Sequence, residues 1–213
     1  MTPDDLDTNL AQDGLEVLGI SHSNLPDGHR SLALVGPGPD FWNMFQAAPE
    51  FLDNAADPLD RWSRRVLNRQ ARALGATAYF PFGGPPYHPF QTWASTTGRI
   101  WSSPVAFLVH DRHGLFVSFR GALAFAGELV HMPAASKPCE TCAQPCATAC
   151  PVAALTPQGY DVAACKAFLD TPAGQDCRNR GCLVRRACPV GATLRDPAQS
   201  AFHMAAFHPE TSK

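Results

Sequence analysis

The sequence predicts an α+β protein in three parts: an α+β domain over residues 1–130, a small cysteine-rich domain over 131–192, and a tail over 193–213 that carries one more helix. Three observations lead there. Short apolar runs alternate with helical patterns through the first 130 residues, as a mixed layer of helix and sheet requires. All eight cysteines lie between Cys139 and Cys188, and such segregation marks a domain boundary. A chain of 213 residues has room for one ordinary domain plus a satellite, or for two small domains.

The elements follow in order. "LEVLGI" (Leu15 to Ile20) and "SLALVG" (Ser31 to Gly36) are predicted strands. Between Asp57 and Gly75, "DPLDRWSRRVLNRQARALG" has an Asp cap, a first-turn Pro and a terminal Gly, which together predict a helix. Leu59, Trp62, Val66, Ala73 and Leu74 are expected on its apolar face, with Arg61, Arg64, Arg65, Arg69 and Arg72 on a solvated one. "ATAYFPFGG" reads as a strand ending in a Gly-Gly-Pro-Pro loop. "VAFLVHDRHGLFVSFRGALAF" reads as two or three antiparallel strands around the turn Asp111 to Gly114. "GELVHMPAASKP" (Gly127 to Pro138) suits a short connector, and "DPAQSAFHMAAFHPE" has the spacing of a last helix. Trp42, Trp62, Trp93 and Trp101 are expected in cores.

A net charge of −2 and a pI near 6.4 give no general electrostatic grip on nucleic acid or an acidic membrane, so neither is an expected partner. The acidic start "MTPDDLDTNLAQDGLEVLGI" lacks the basic end of a signal peptide, and no run approaches the length of a membrane span. The expected location is cytoplasmic. Reducing compartments keep thiols free, and cysteine clusters there hold metal or do redox work.

"CETCAQPCATACP" packs Cys139, Cys142, Cys146 and Cys150 together and ends in proline. An echo joins "ACPVAAL" at Ala149 to "ACPVGATL" at Ala187, which implies two related half-units. In the bacterial two-cluster arrangement the cysteine before proline ligates the other cluster, so the halves are cross-braced. That rule assigns Cys139, Cys142, Cys146 and Cys188 to one 4Fe–4S cluster, and Cys150, Cys165, Cys177 and Cys182 to a second. The spacing departs from the bacterial run, with three residues, "AQP", between the second and third ligands and wider gaps in the second half. Zinc and disulfides stand as alternatives; zinc prefers paired CxxC elements, of which there is one here. No phosphate loop, dinucleotide fingerprint, nucleophile elbow or HExxH motif occurs, so the chemistry is that of the clusters.

The run "PYHPFQTWASTTGRIWSSPVAFLVHDRHGLFVSFRGAL", with "CETCAQPCATACP", "CKAFLD" and "GCLVRRACP", resembles the epoxyqueuosine reductase family. The likeness covers roughly residues 76–192 and includes Tyr87-His88, Gly98, Ser103, the "FRGAL" closure and the isolated Cys165. That family is similar in turn to reductive dehalogenases and the cobalamin-processing decyanases. The resemblance implies a nitroreductase/decyanase-like domain that carries a corrinoid, followed by a bacterial-ferredoxin-like two-cluster domain that reduces it. Where the family has an aspartate as expected proton donor, "PFQTWASTT" has no acid, and the tRNA-reading helical repeats are missing. The resemblance therefore carries the architecture rather than epoxyqueuosine reduction itself.

The expected function is electron transfer, with the clusters reducing a cobalamin-type corrinoid, or a flavin, held by residues 1–130. The alternatives are a ferredoxin-like carrier that docks an electron donor or acceptor protein, and a structural or sensory iron–sulfur protein. Tyr87, His88 and Arg120 are the candidate cofactor-binding residues; catalytic residues are not assigned. A phenol, an imidazole and a guanidinium can orient polar groups of a cofactor, ligate it or move a proton.

Overall fold

The structure, a computed structural model, describes residues 1–209; residues 210–213 of the expected tail lie outside the described residues. It is mixed α+β with a small antiparallel sheet. In chain order the elements are α1 (Pro3–Ala11), β1 (Leu15–Ser21), β2 (Ser31–Pro37), α2 (Phe41–Gln46), α3 (Pro49–Leu52), α4 (Pro58–Leu74), β3 (Thr77–Tyr79), α5 (Phe90–Ser95), β4 (Ile100–Ser102), β5 (Leu108–His110), β6 (Gly121–Phe125), β7 (Leu155–Thr156), β8 (Gly159–Tyr160), α6 (Val162–Leu169), α7 (Gln175–Arg180), α8 (Leu183–Ala187) and α9 (Pro197–Phe207). Short 3₁₀ turns at Pro138–Glu140 and Pro145–Thr148 carry cysteines.

The chain divides into two compact units, Met1–Ile100 with Ser118–Ala135, and Trp101–Val117 with Ser136 onward. The sequence reading ran its first domain unbroken to residue 130. The structure groups Trp101–Val117 with the cysteines because Val105, Val109 and Leu115 are buried in one apolar cluster with Cys146 and Cys188.

In the first unit, β1, β2, β6 and β3 form one antiparallel sheet in that order. β2 and β6 are central, and "GALAF" is buried at all five positions, so small and apolar residues suit a strand covered on both faces. The expected hairpin across Asp111 to Gly114 is corrected by this arrangement. His110 and Gly114 close a tight bridge, and β5 pairs with β4, whereas β6 runs between β2 and β3. The predicted strands 15–20 and 31–36 are β1 and β2.

α4 matches the predicted helix with altered details. Gly75 caps its C-terminus in the left-handed conformation, at φ +65°, which glycine adopts without strain. Asp57 precedes the helix but makes no side-chain cap. The buried face is Leu59, Trp62, Ser63, Val66, Leu67, Gln70 and Ala71, whereas Ala73 is exposed and Leu74 half-buried. The last turn has rotated out of the predicted stripe. The arginine row lies on the exposed face as expected, with only Arg61 half-buried, and much of it is also paired. Arg61 pairs with Asp53, Arg65 with Glu50 and Arg69 with Asp13, and Arg64 lies over the Phe80 and Phe82 rings. These surface contacts tie α4 to the loop after α1, to α3 and its C-terminal end, and to the loop after β3.

Trp42, Trp62 and Trp93 are buried, and Trp101 is half-buried. No helix among the described residues is long and apolar enough to cross a membrane.

Candidate functional site

The second unit is built around its thiols. Two left-handed non-glycine residues, Gln144 and Ala153, bend the first cysteine segment back on itself. Gln144 absorbs the additional residue of "AQP": it turns the chain, and Pro145 then starts the 3₁₀ turn that presents Cys146. The Gln144 N–H donates to Cys142 Sγ at 3.3 Å, and the Ala154 N–H donates to Cys150 Sγ at 3.2 Å. Backbone donors aimed at sulfur favour the ionised, metal-binding thiolate.

Cys139, Cys142, Cys146 and Cys188 line one recess of about 320 Å³, open mouth included, with Val109 and Leu115 on its apolar wall. Burial pushes the Cys139 and Cys146 thiols up, and the nearby charge of Cys188 adds to this in both. The remaining cysteines form a second set. Burial also raises Cys165 and Cys177; the charges of Cys182 and Cys150 bear on Cys165, and that of Cys182 on Cys177. Cys165 is carried by α6, whose start is capped by Asp161 accepting from the Ala164 N–H at 2.9 Å. Cys177 lies on α7, and Cys182 is the residue before α8.

All eight cysteines are free thiols. Zinc bonded to sulfur at ~2.3 Å in a tetrahedron holds its sulfurs roughly 3.8 Å apart. Among the described residues, no three cysteine sulfurs lie within 4.8 Å of one another. A cubane spaces its thiolates more widely, at the corners of a cluster rather than around one ion. Four thiols on one recess are a donor set for a thiophilic metal ion or an iron–sulfur cluster.

No family model, curated protein or solved structure matches this chain. The site is accordingly read from its own geometry.

Three further residues shape the sulfur sites, and the sequence reading passed over their role. Gly114 packs its backbone on the Cys188 loop: a Cβ there would lie 2.5 Å from the Val190 carbonyl oxygen and 2.8 Å from Cys188 Sγ. Arg195 donates from its guanidinium to the carbonyls of Arg186, Cys188 and Val190, clamping the same loop, and it stacks over Phe116. Tyr160 lies beside Cys165, close enough that each influences the other's ionisation. Gly114 was visible only as a turn glycine, and nothing local in the sequence marked Arg195 or Tyr160.

The expected cofactor residues of the first unit have separate surroundings. Tyr87 is 66% exposed. His88 is exposed as well and rests against Tyr79 and Trp93, with ring centroids 4.9 and 6.0 Å away. Arg120 is different: its Nε is buried without a hydrogen-bond partner. Burial pushes its pKa down to about 10, with the Asp60 charge opposing. Burial likewise raises Asp60, which Arg120 offsets. Among the described residues that guanidinium nitrogen has no acceptor, and the charge that bears on the group is that of Asp60.

Proposed function

We propose that this protein is an iron–sulfur electron-transfer protein with two 4Fe–4S clusters, serving a reductase reaction. The observation that carries this is that Cys139, Cys142, Cys146 and Cys188 line one recess, the set expected for the first cluster, which leaves four further thiols for a second. Bound clusters would supply one-electron transfer each. The chain's own part is to hold the thiolates, surround the first set with Val109 and Leu115, and direct backbone N–H groups at Cys142 and Cys150. Such hydrogen bonds and solvent exclusion set the cluster potential.

With this goes the resemblance to epoxyqueuosine reductases, and we read the first unit as nitroreductase/decyanase-like and the second as a two-cluster ferredoxin-type domain. The electron acceptor we propose is a corrinoid, ahead of a flavin, held by the first unit. Arg120 would meet its anionic group, and the exposed His88 would offer a ligating nitrogen or a proton.

Anaerobically purified protein should contain about eight irons and eight labile sulfides per chain. Zinc in place of iron overturns the cluster reading. Dithionite-reduced protein should be reoxidised by cob(II)alamin, and His88→Ala and Arg120→Gln should slow that step without lowering iron content. If cob(II)alamin and flavins both leave the spectra unchanged, the acceptor is a partner protein and the function is that of a carrier.

A further inference from the structure

Away from the cysteines, His22, Glu128 and His131 each bring one ligand atom to within 4.8 Å of the other two. The sheet explains the meeting. β1 and β6 flank β2 and both run antiparallel to it, so they end at the same edge. His22 follows the last residue of β1, and Glu128 and His131 follow the end of β6. Ser31, the fully buried first residue of β2, fixes the second segment: its hydroxyl donates to the Gly127 carbonyl at 3.2 Å and accepts from the Leu129 N–H at 2.7 Å. Glu128 is held between those two bonded neighbours.

The His22 and His131 rings stack with centroids 3.8 Å apart, and His131 Nε2 lies 3.9 Å from a Glu128 carboxylate oxygen. Both ring nitrogens of His22 are sealed from water, and among the described residues neither has a hydrogen-bond partner. Leaving such a group unsatisfied costs about 1–3 kcal/mol, so the site is short of something that takes a lone pair. The neutral ring is the ligating form. Arg30, 3.9 Å from Glu128 and exposed, is the remaining charge at the cluster.

We propose that His22, Glu128 and His131 bind one divalent transition-metal ion of the zinc class, with solvent completing the coordination. Two imidazoles and one carboxylate suit zinc rather than calcium or magnesium, which take oxygen ligands. Bonds of ~2.0–2.2 Å in a tetrahedron need donors roughly 3.3 Å apart. The exposed His131 and Glu128 side chains turn to close that gap, while His22 stays at its strand end.

The test is titration of the full, cluster-loaded chain with zinc under anaerobic conditions, against a chromophoric chelator. The expected result is one equivalent held by the parent. His131→Ala and Glu128→Gln, both at exposed positions, should weaken it by at least about tenfold, the scale lost even for an outer-shell partner. Iron content and cluster absorption should not change. X-ray absorption at the zinc edge should report nitrogen and oxygen donors with two imidazoles. Equal zinc affinity in parent and His131→Ala, or sulfur in the shell of the equivalent that the variant loses, overturns the proposal. The site shares no residue with the thiols, and the difference between parent and variant isolates it even in protein lacking clusters.

Discussion

Cys146 and Cys188, from the two ends of the cysteine-rich segment, line the same recess and are both buried. A cluster held there would join the first 3₁₀ turns of the segment to the loop after α8. Removing Cys188 should therefore damage the cluster of Cys139, Cys142 and Cys146, and removing Cys150 should damage that of Cys165, Cys177 and Cys182. Low-temperature EPR of Cys188→Ala and Cys150→Ala reads this directly. Loss of the same signal in both variants would show that the thiols are partitioned otherwise.

Gly114 faces the Cys188 loop from the β5 side with φ +55°. A side chain there meets left-handed strain of about 1–2 kcal/mol, and its methyl must also displace the Val190 carbonyl or the Cys188 sulfur. Gly114→Ala is expected to halve the iron bound per chain and lower the melting temperature. Arg195→Met, which removes the clamp on the same carbonyls, should loosen the same cluster more mildly. Full iron retention in Gly114→Ala would mean that the turn does not set the ligand loop.

How far the sequence reached depended on whether the cause was local. β1, β2 and α4 were legible because periodicity and a terminal Gly are written within each segment. α1 carried a signal that went unread: Thr2 accepts from the Asp5 N–H while Asp5 accepts from the Thr2 N–H, a capping box spelled out in "TPDD". The hairpin expected across Asp111 to Gly114 failed because strand pairing is non-local, and "GALAF" found its partners in β2 and β3. Cysteine spacing foretold that Cys188 would share a recess with Cys139, Cys142 and Cys146. It could not reveal Arg195, whose role rests on the carbonyls it reaches across the fold, nor the meeting of His22 with His131, which depends on β1 and β6 ending at one edge.

Glu50 offers an acid-sensitive contact in the first unit. Its carboxylate accepts from Arg65, at 2.9 Å to one guanidinium nitrogen, and this pairing holds its pKa below the ordinary 4.5 while burial works against it. A carboxyl depressed in the folded state contributes stability that is fully present above its unfolded pKa. That stability disappears as pH falls through the lower folded value. Glu50→Gln should cost about 1–3 kcal/mol near neutrality, and its melting temperature should fall less steeply than the parent's below pH 4.5. Parallel pH profiles for the two proteins would rule out a contribution from this pair.

Tyr160 lies beside Cys165, and burial first, with the neighbouring Cys165 second, pushes its phenol well above the ordinary value, so it keeps its proton and can donate it to that sulfur. Its ring is held independently of the hydroxyl: it meets Phe107 edge-on at 5.7 Å and stacks near Phe207 at 6.1 Å. Tyr160→Phe should therefore keep the packing and delete a single donor. A hydrogen bond to a ligand sulfur stabilises the more negative, reduced state of a cluster and raises its potential. The expected outcome is a lower midpoint potential for the cluster of Cys150, Cys165, Cys177 and Cys182, with the other cluster and the iron content unchanged. An EPR-monitored redox titration measures both midpoints in one sample, and an unmoved second midpoint would show that the phenol packs beside Cys165 without tuning it.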